Sequence, residues 1–257
     1  MYTAGIDVGF DSIKVAIVSD GKVVAKSCGE TGCIGREENI NSVYGTALAS
    51  AGLTASDVGK TVATGIGKFS VKFAGDHVSD AIAEAKAARY FSGGATSVVD
   101  IGADKTHVVI LDGEGIKEVV LNQKCMAGLG LLLDVVSNRL GYTLDEISGF
   151  GPDVGKDAYV NDGCPVFAEL DSLEALNNAV PKEQVMGAVI NSVVYRLNSI
   201  MHDKITPDKE TTVLLGGVSR NAAVVNRLKT RSGVDFFIPD DAVYGSAIGC
   251  ALIAAAN

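Results

Sequence analysis

One phrase occurs twice in this chain, and that repetition constrains the fold more than any other feature. Residues 3–21 contain Gly5-Ile6-Asp7-Val8-Gly9, a returning apolar strand and Asp20-Gly21; residues 98–113 contain Asp100-Ile101-Gly102, a returning strand and Asp112-Gly113. Placing Asp7 on Asp100 also superposes Gly9 on Gly102, Asp11 on Asp104, Val15 on Val108 and Ile17 on Ile110. A one-residue shift then aligns the two Asp-Gly hairpin signals. Short apolar strands match by chance, but matched Asp-x-Gly anchors and matched hairpins together mark an internal duplication.

A duplication at this spacing predicts two similar lobes, over 1–95 and 96–257, with the last helix able to return to the first lobe. The intervening segments fit this division. Ala-rich stretches at 38–51 and 77–91 have helical apolar spacing, and further helices are expected near 127–140, 166–178, 182–203 and 245–256. Val62–Gly65 reads as a strand end, and residues 212–215 as a short buried strand entering Gly216-Gly217. Strands alternating with helices around two repeated hairpins describe a duplicated α/β architecture. No linker is visible, and the lobes are expected to meet near residues 93–97.

Composition narrows the function. With 257 residues and 47% hydrophobic content, the chain can bury a large core without staples. Its net charge of −9 disfavours a broad nucleic-acid face and attraction to an anionic membrane. No apolar run is long enough to span a bilayer, and the first residues lead directly into a strand. The expected location is therefore cytoplasmic, with no nucleic-acid and no membrane partner. Five cysteines, at 28, 33, 125, 164 and 250, are an odd number, and reduced thiols are expected.

An Asp-x-Gly turn exposes backbone N–H groups beside a carboxylate, and two such turns across a cleft can clamp a phosphate chain. Gly216-Gly217 lets the backbone approach a flat ligand closely. The whole chain resembles the actin, hexokinase and Hsp70-type ATPase fold, in the branch of 2-hydroxyacyl-CoA dehydratase activators and benzoyl-CoA reductase ATPase subunits. The stretches that carry this resemblance are Gly5–Gly9, Ala63–Lys68, Asp100–Gly102, Lys124–Gly130, Cys164–Glu169, Gly216–Val218 with Asn221, and Tyr244–Gly249. It implies a ribonuclease H-like duplicated fold around a nucleotide cleft. ATP or ADP with Mg²⁺ would meet catalytic carboxylates at Asp7, Asp100 and Asp104. Gly9, Phe10, Lys14, Gly102, Gly128, Gly130, Gly216, Gly217 and Asn221 would contact the nucleotide.

Cys125 and Cys164 each precede an expected helix, where the dipole and free N–H groups favour a thiolate. Two cysteines are half of a tetrathiolate set. The resemblance implies that a two-fold dimer completes it, with one [4Fe-4S] cluster bridging the subunits. The expected partners are a second copy or a sister ATPase subunit, and an iron–sulfur dehydratase or reductase acting on CoA thioesters. Cys28 and Cys33, read as a pair on a Gly-rich loop, lack a second pair for zinc. Cys250 reads as core. His107 reads as a strand residue, and His77 and His202 as residues of polar helices, with no ligand cluster among them.

The sequence also departs from its relatives. Phe10 stands where active members carry Ser or Thr, Gly102-Ala103-Asp104-Lys105 replaces Gly-Gly-Gln-Asp, and Leu129 and Leu131 replace polar residues. Each lost charge-assisted contact removes roughly 1.5–3 kcal/mol. The expectation is an electron-transfer subunit with a weakened nucleotide site. The alternatives are a nucleotide-binding regulatory subunit without turnover, and a small-molecule kinase of the same fold.

Overall fold

The computed structural model describes residues 1–122, 128–207 and 211–256. Its strands are β1 (Tyr2–Val8), β2 (Ser12–Ser19), β3 (Lys22–Glu30), β4 (Val58–Thr64), β5 (Asp76–His77), β6 (Ala95–Ile101), β7 (Thr106–Asp112), β8 (Gly115–Leu121), β9 (Thr211–Leu215) and β10 (Phe236–Phe237). Its α-helices are α1 (Arg36–Ser50), α2 (Asp80–Phe91), α3 (Leu129–Leu140), α4 (Leu144–Ser148), α5 (Pro165–Asn177), α6 (Lys182–Met201), α7 (Ala222–Ser232) and α8 (Gly245–Ala256).

The strands form two five-stranded sheets, ordered β3-β2-β1-β4-β5 and β8-β7-β6-β9-β10. In each, three antiparallel strands are followed by two parallel ones, so the topologies coincide. Asp7 pairs with Lys14 in the first sheet and Asp100 with His107 in the second, at matching places in the ladders. The duplication read from the Asp-x-Gly anchors is a duplication of structure.

Alternation along each central strand assigns its two faces. Ala4, Ile6 and Val8 of β1 join the core under α1, with Ile40, Val43 and Ala47. Val99 and Ile101 of β6 join the larger core under α3, α6 and α7. The opposite faces meet α2 and α8, and here the halves exchange helices. Ala81, Ala85 and Ala88 of α2 pack on Val98, Val109 and Val213 of the second sheet. Ala247, Ile248 and Ala251 of α8 pack on Ala16 and Val18 of the first.

Glycine is required where those layers touch. A Cβ at Gly5 would lie 1.9 Å from the Ala247 carbonyl oxygen, and one at Gly249 would lie 1.9 Å from that of Ala83. Backbone therefore runs against backbone where α8 crosses β1 and α2.

Three expectations need correction. Residues 95–97 lie within β6, where Ser97 pairs with Thr212, so the sheets communicate through α2 and α8 rather than through this segment. Cys28 is a β3 residue opposite Lys14 rather than a loop residue, because β3 runs on to Glu30. His77 belongs to β5 rather than to a helix, since α2 begins only at Asp80.

Candidate functional site

The two Asp-x-Gly turns close in the same way. The Gly9 N–H donates to the Ser12 carbonyl at 3.1 Å, and the Gly102 N–H donates to that of Lys105 at 2.9 Å. Beside each turn a glycine with left-handed φ presses on the central strand: Gly65 at φ 88° against Val8, and Gly216 at φ 87° against Ile101. No side chain fits at either, since a Cβ would stand 2.3 Å or 2.4 Å from a backbone carbonyl oxygen. Both turns open on one cavity of about 740 Å³, a size suited to a cofactor-sized ligand.

Asp7, Gly9, Phe10, Lys14, Asp100, Gly102, Asp104, Gly130, Gly216, Gly217 and Asn221 all line this cavity. Gly128 does not. It is the N-cap of α3 and packs against Ala103, whose carbonyl oxygen accepts the Leu131 N–H at 3.0 Å. Gly130 lets the helix start this close, because a Cβ there would stand 2.7 Å from the Gly102 carbonyl oxygen. Asn221 has a structural task besides facing the cavity: its Oδ1 accepts the Val224 N–H at 3.0 Å and caps α7.

Two carboxylates absent from the sequence reading complete the floor. Asp80 and Glu84, four residues apart and hence on one face of α2, both line the cavity. Asp80 Oδ1 accepts from the Thr64 hydroxyl and the Gly65 N–H, each at 2.8 Å, while Lys105 lies 3.6 Å from its other oxygen. Glu84 is fully buried and holds His107, with Oε1 2.6 Å from Nδ1. The i,i+4 acidic pair in an otherwise Ala-rich helix was the available signal. His107 is thus a satisfied buried histidine, and it stands at the cavity.

This crowding sets the electrostatics. Burial pushes the Asp7 carboxyl up to about 6; Lys14, 3.9 Å away, and His107 oppose the rise, while Asp80 and Glu84 add to it. Asp100 is raised well above the carboxylate range by burial, then by Glu84 and Asp7, against the pull of His107 and Lys14. Burial also acts to raise Asp80, but the Thr64 and Gly65 hydrogen bonds with His107 and Lys105 outweigh it and leave it lowered. For His107 burial lowers the value, yet Glu84, Asp100 and Asp80 overcome this and bring it to about 9.

The departures from the family pattern sort by position. Phe10 sits at the tip of the first turn with 53% of its surface exposed, and Asp104 and Leu131 also face the cavity. Leu129 does not. It is fully buried in the core under the second sheet, so its apolar side chain serves packing and removes nothing from the phosphate side.

Of the two cysteines singled out, Cys125 lies outside the described residues. Cys164 is the N-cap of α5, ahead of Pro165 at N1, with its N–H donating to Asn161 Oδ1 at 2.8 Å. From it runs an exposed apolar stripe of Val166, Phe167, Leu170 and Leu173. Cys28 and Cys33 are exposed and Cys250 is buried. Among the described residues, no three His, Cys, Asp or Glu side chains converge as a metal site.

Duplicated sheets, paired turns and a shared cavity define an ATPase architecture, and the profile of the BadF/BadG/BcrA/BcrD ATPase family matches residues 4–254. The chain belongs to this family. It is 32% identical to the activator of lactoyl-CoA dehydratase from Anaerotignum propionicum, over 99% of this chain and 97% of that one. Its structure superposes on Acidaminococcus fermentans (R)-2-hydroxyglutaryl-CoA dehydratase component A with a TM-score of 0.88 at 28% identity, covering 99% and 97% of the two chains. The activator of 2-hydroxyisocaproyl-CoA dehydratase from Clostridium difficile, solved with bound ADPNP, superposes with a TM-score of 0.87 at 26% identity, covering 99% and 94%. Among the described residues, no helix is long and apolar enough to cross a membrane.

Proposed function

We propose that this chain is the ATP-coupled electron-transfer component of a system that dehydrates or reduces CoA thioesters. The observation that carries the reading is Cys164. Its sulfur stands at a helix start, where unpaired first-turn N–H groups favour negative charge, and the apolar stripe beside it suits burial by a second subunit. Cys164 with Cys125 would supply two of four thiolates for a [4Fe-4S] cluster, and the second subunit, a copy or a sister ATPase, the other two. Such a cluster, when bound, accepts and releases one electron at low potential.

The cavity supports ATP or ADP as the ligand. The two turns offer backbone N–H groups to phosphates, and the Gly216-Gly217 loop offers close backbone approach to the adenosine. Asp7 and Asp100, both raised by burial and by neighbouring carboxylates that Lys14 and His107 only partly offset, suit a Mg²⁺ ion carried by phosphates and one or two carboxylates. Asp7, Asp100 and Asp104 are the catalytic carboxylates of this reading. The 1–95 and 96–257 lobes would close around the nucleotide, turning α5 and the cysteine that caps it.

Phe10 favours slow turnover. An apolar ring at the turn tip removes a hydroxyl where charge develops in phosphoryl transfer, while the adenosine side keeps its glycines. Binding therefore suffers less than hydrolysis.

Anaerobic purification tests the central claim. Wild-type protein should be brown, with about four irons per two chains, and Cys164→Ser should be colourless but folded. Full iron in the variant overturns the assignment. Rapid hydrolysis by the isolated wild-type protein overturns the weakened-site reading.

A further inference from the structure

The two halves present the same strand pair to the cavity, and the partner of the aspartate differs in kind but not in sign of charge. β1 and β2 set Lys14 opposite Asp7; β6 and β7 set His107 opposite Asp100. Directly opposed residues of antiparallel strands share a face, with Cβ atoms about 4.5–5.5 Å apart. His107 thus occupies in the second half the place that Lys14 holds in the first, and both line the cavity.

His107 has a support that Lys14 lacks. Glu84 Oε1 lies 2.6 Å from Nδ1, which fixes the ring plane of a side chain that lines the cavity and leaves Nε2 outside this pairing. The other Glu84 oxygen, Oε2, is buried and has no hydrogen-bond partner among the described residues. The Glu84 carboxylate 2.6 Å from Nδ1 favours a charged imidazole at this place. An ion pair needed only for packing would gain nothing from standing at the duplicated position of a cleft cation.

We propose that His107 is the second half's cation for the nucleotide phosphates, the counterpart of Lys14, and that Glu84 is the positioning residue that orients it. This rests on the nucleotide reading above. A phosphate chain lying between two symmetric turns would then meet one cationic donor from each sheet.

Calorimetric titration with adenosine and with Mg·ADP separates this role from a structural one. Wild-type protein should prefer Mg·ADP. Glu84→Gln/His107→Gln, which keeps a neutral hydrogen-bonding pair, should lose about tenfold in Mg·ADP affinity with adenosine affinity nearly unchanged. His107→Lys should recover most of that loss. Equal losses for both ligands, or no loss, overturn the proposal. Wild-type protein that binds neither ligand overturns the nucleotide reading itself. Should the double variant not fold, imidazole NMR of the wild type decides. His107 resonances that move with Mg·ADP but not with adenosine support the role, and unmoved resonances overturn it.

Discussion

Asp7 should make the ligand-free protein less stable than it could be, and Asp7→Asn should relieve this. The carboxyl sits at about 6 in the fold against 3.8 unprotected, chiefly through burial. A value raised on folding favours the folded state where the group is protonated. That stability is fully present below pH 3.8 and is lost as pH rises through about 6. The gap corresponds to about 3 kcal/mol above pH 7, an upper figure because the side chain keeps 18% exposure to the cavity. Asparagine resembles the protonated carboxyl in shape and charge, so the variant should gain most of this amount near pH 8. At about 2–4 °C per kcal/mol for a chain of this size, its Tm should rise by several degrees, to at most about 12 °C. The gain should shrink to near nothing by pH 4. Thermal and urea melts of both proteins across that range measure it. An Asn variant less stable than wild type at pH 8, or a gap that does not change with pH, would refute the reasoning. Saturating Mg·ADP should stabilise wild type more than the variant, because only the carboxylate can pair with the cation.

Gly249→Ala should destabilise by about 3 kcal/mol or more, read as a fall in the urea midpoint, because its Cβ meets the Ala83 backbone at the α2–α8 crossing. Phe10→Thr should raise the steady-state ATPase rate; an unchanged rate would make Phe10 a lid residue of no consequence to turnover. The Glu84–His107 pair should make stability fall between pH 7 and 10. A histidine raised to about 9 contributes fully below 6.5 and loses that contribution as pH passes 9. Glu84→Gln should flatten this slope in pH-dependent melts.

The parts of this molecule fixed by short-range patterns were legible in its sequence. The Asp-x-Gly anchors, the Asp-Gly hairpins and the 245–256 helix, whose bounds agree with α8, depend on local chemistry. So does the placement of Cys164 before a helix, signalled by Pro165. What escaped depends on tertiary contact. Asp80 and Glu84 had no assigned role within an Ala-rich helix, and only the seating of α2 on the second sheet turns them to the cavity. Leu129 read as a phosphate-side change because loop position was known and side-chain direction was not. The helix α7 was overlooked although Asn221 caps it and Gly233 ends it in the left-handed region. Asn221 had already been assigned to the ligand.

The exchange of helices between the halves bears on how the chain comes into being. The Thr3 hydroxyl donates to the Ala251 carbonyl oxygen at 2.8 Å, across 248 positions of sequence. A ribosome makes β1 long before α8, so the inner face of the first sheet stays bare until α8 has left the exit tunnel. During that interval Gly5 and its neighbours have no backbone to lie against, and Ala16 and Val18 face water. Apolar surface exposed in this way favours aggregation, and contacts this distant in sequence close slowly. A chain without α8 would leave that face of the first sheet unsealed and open to proteolysis.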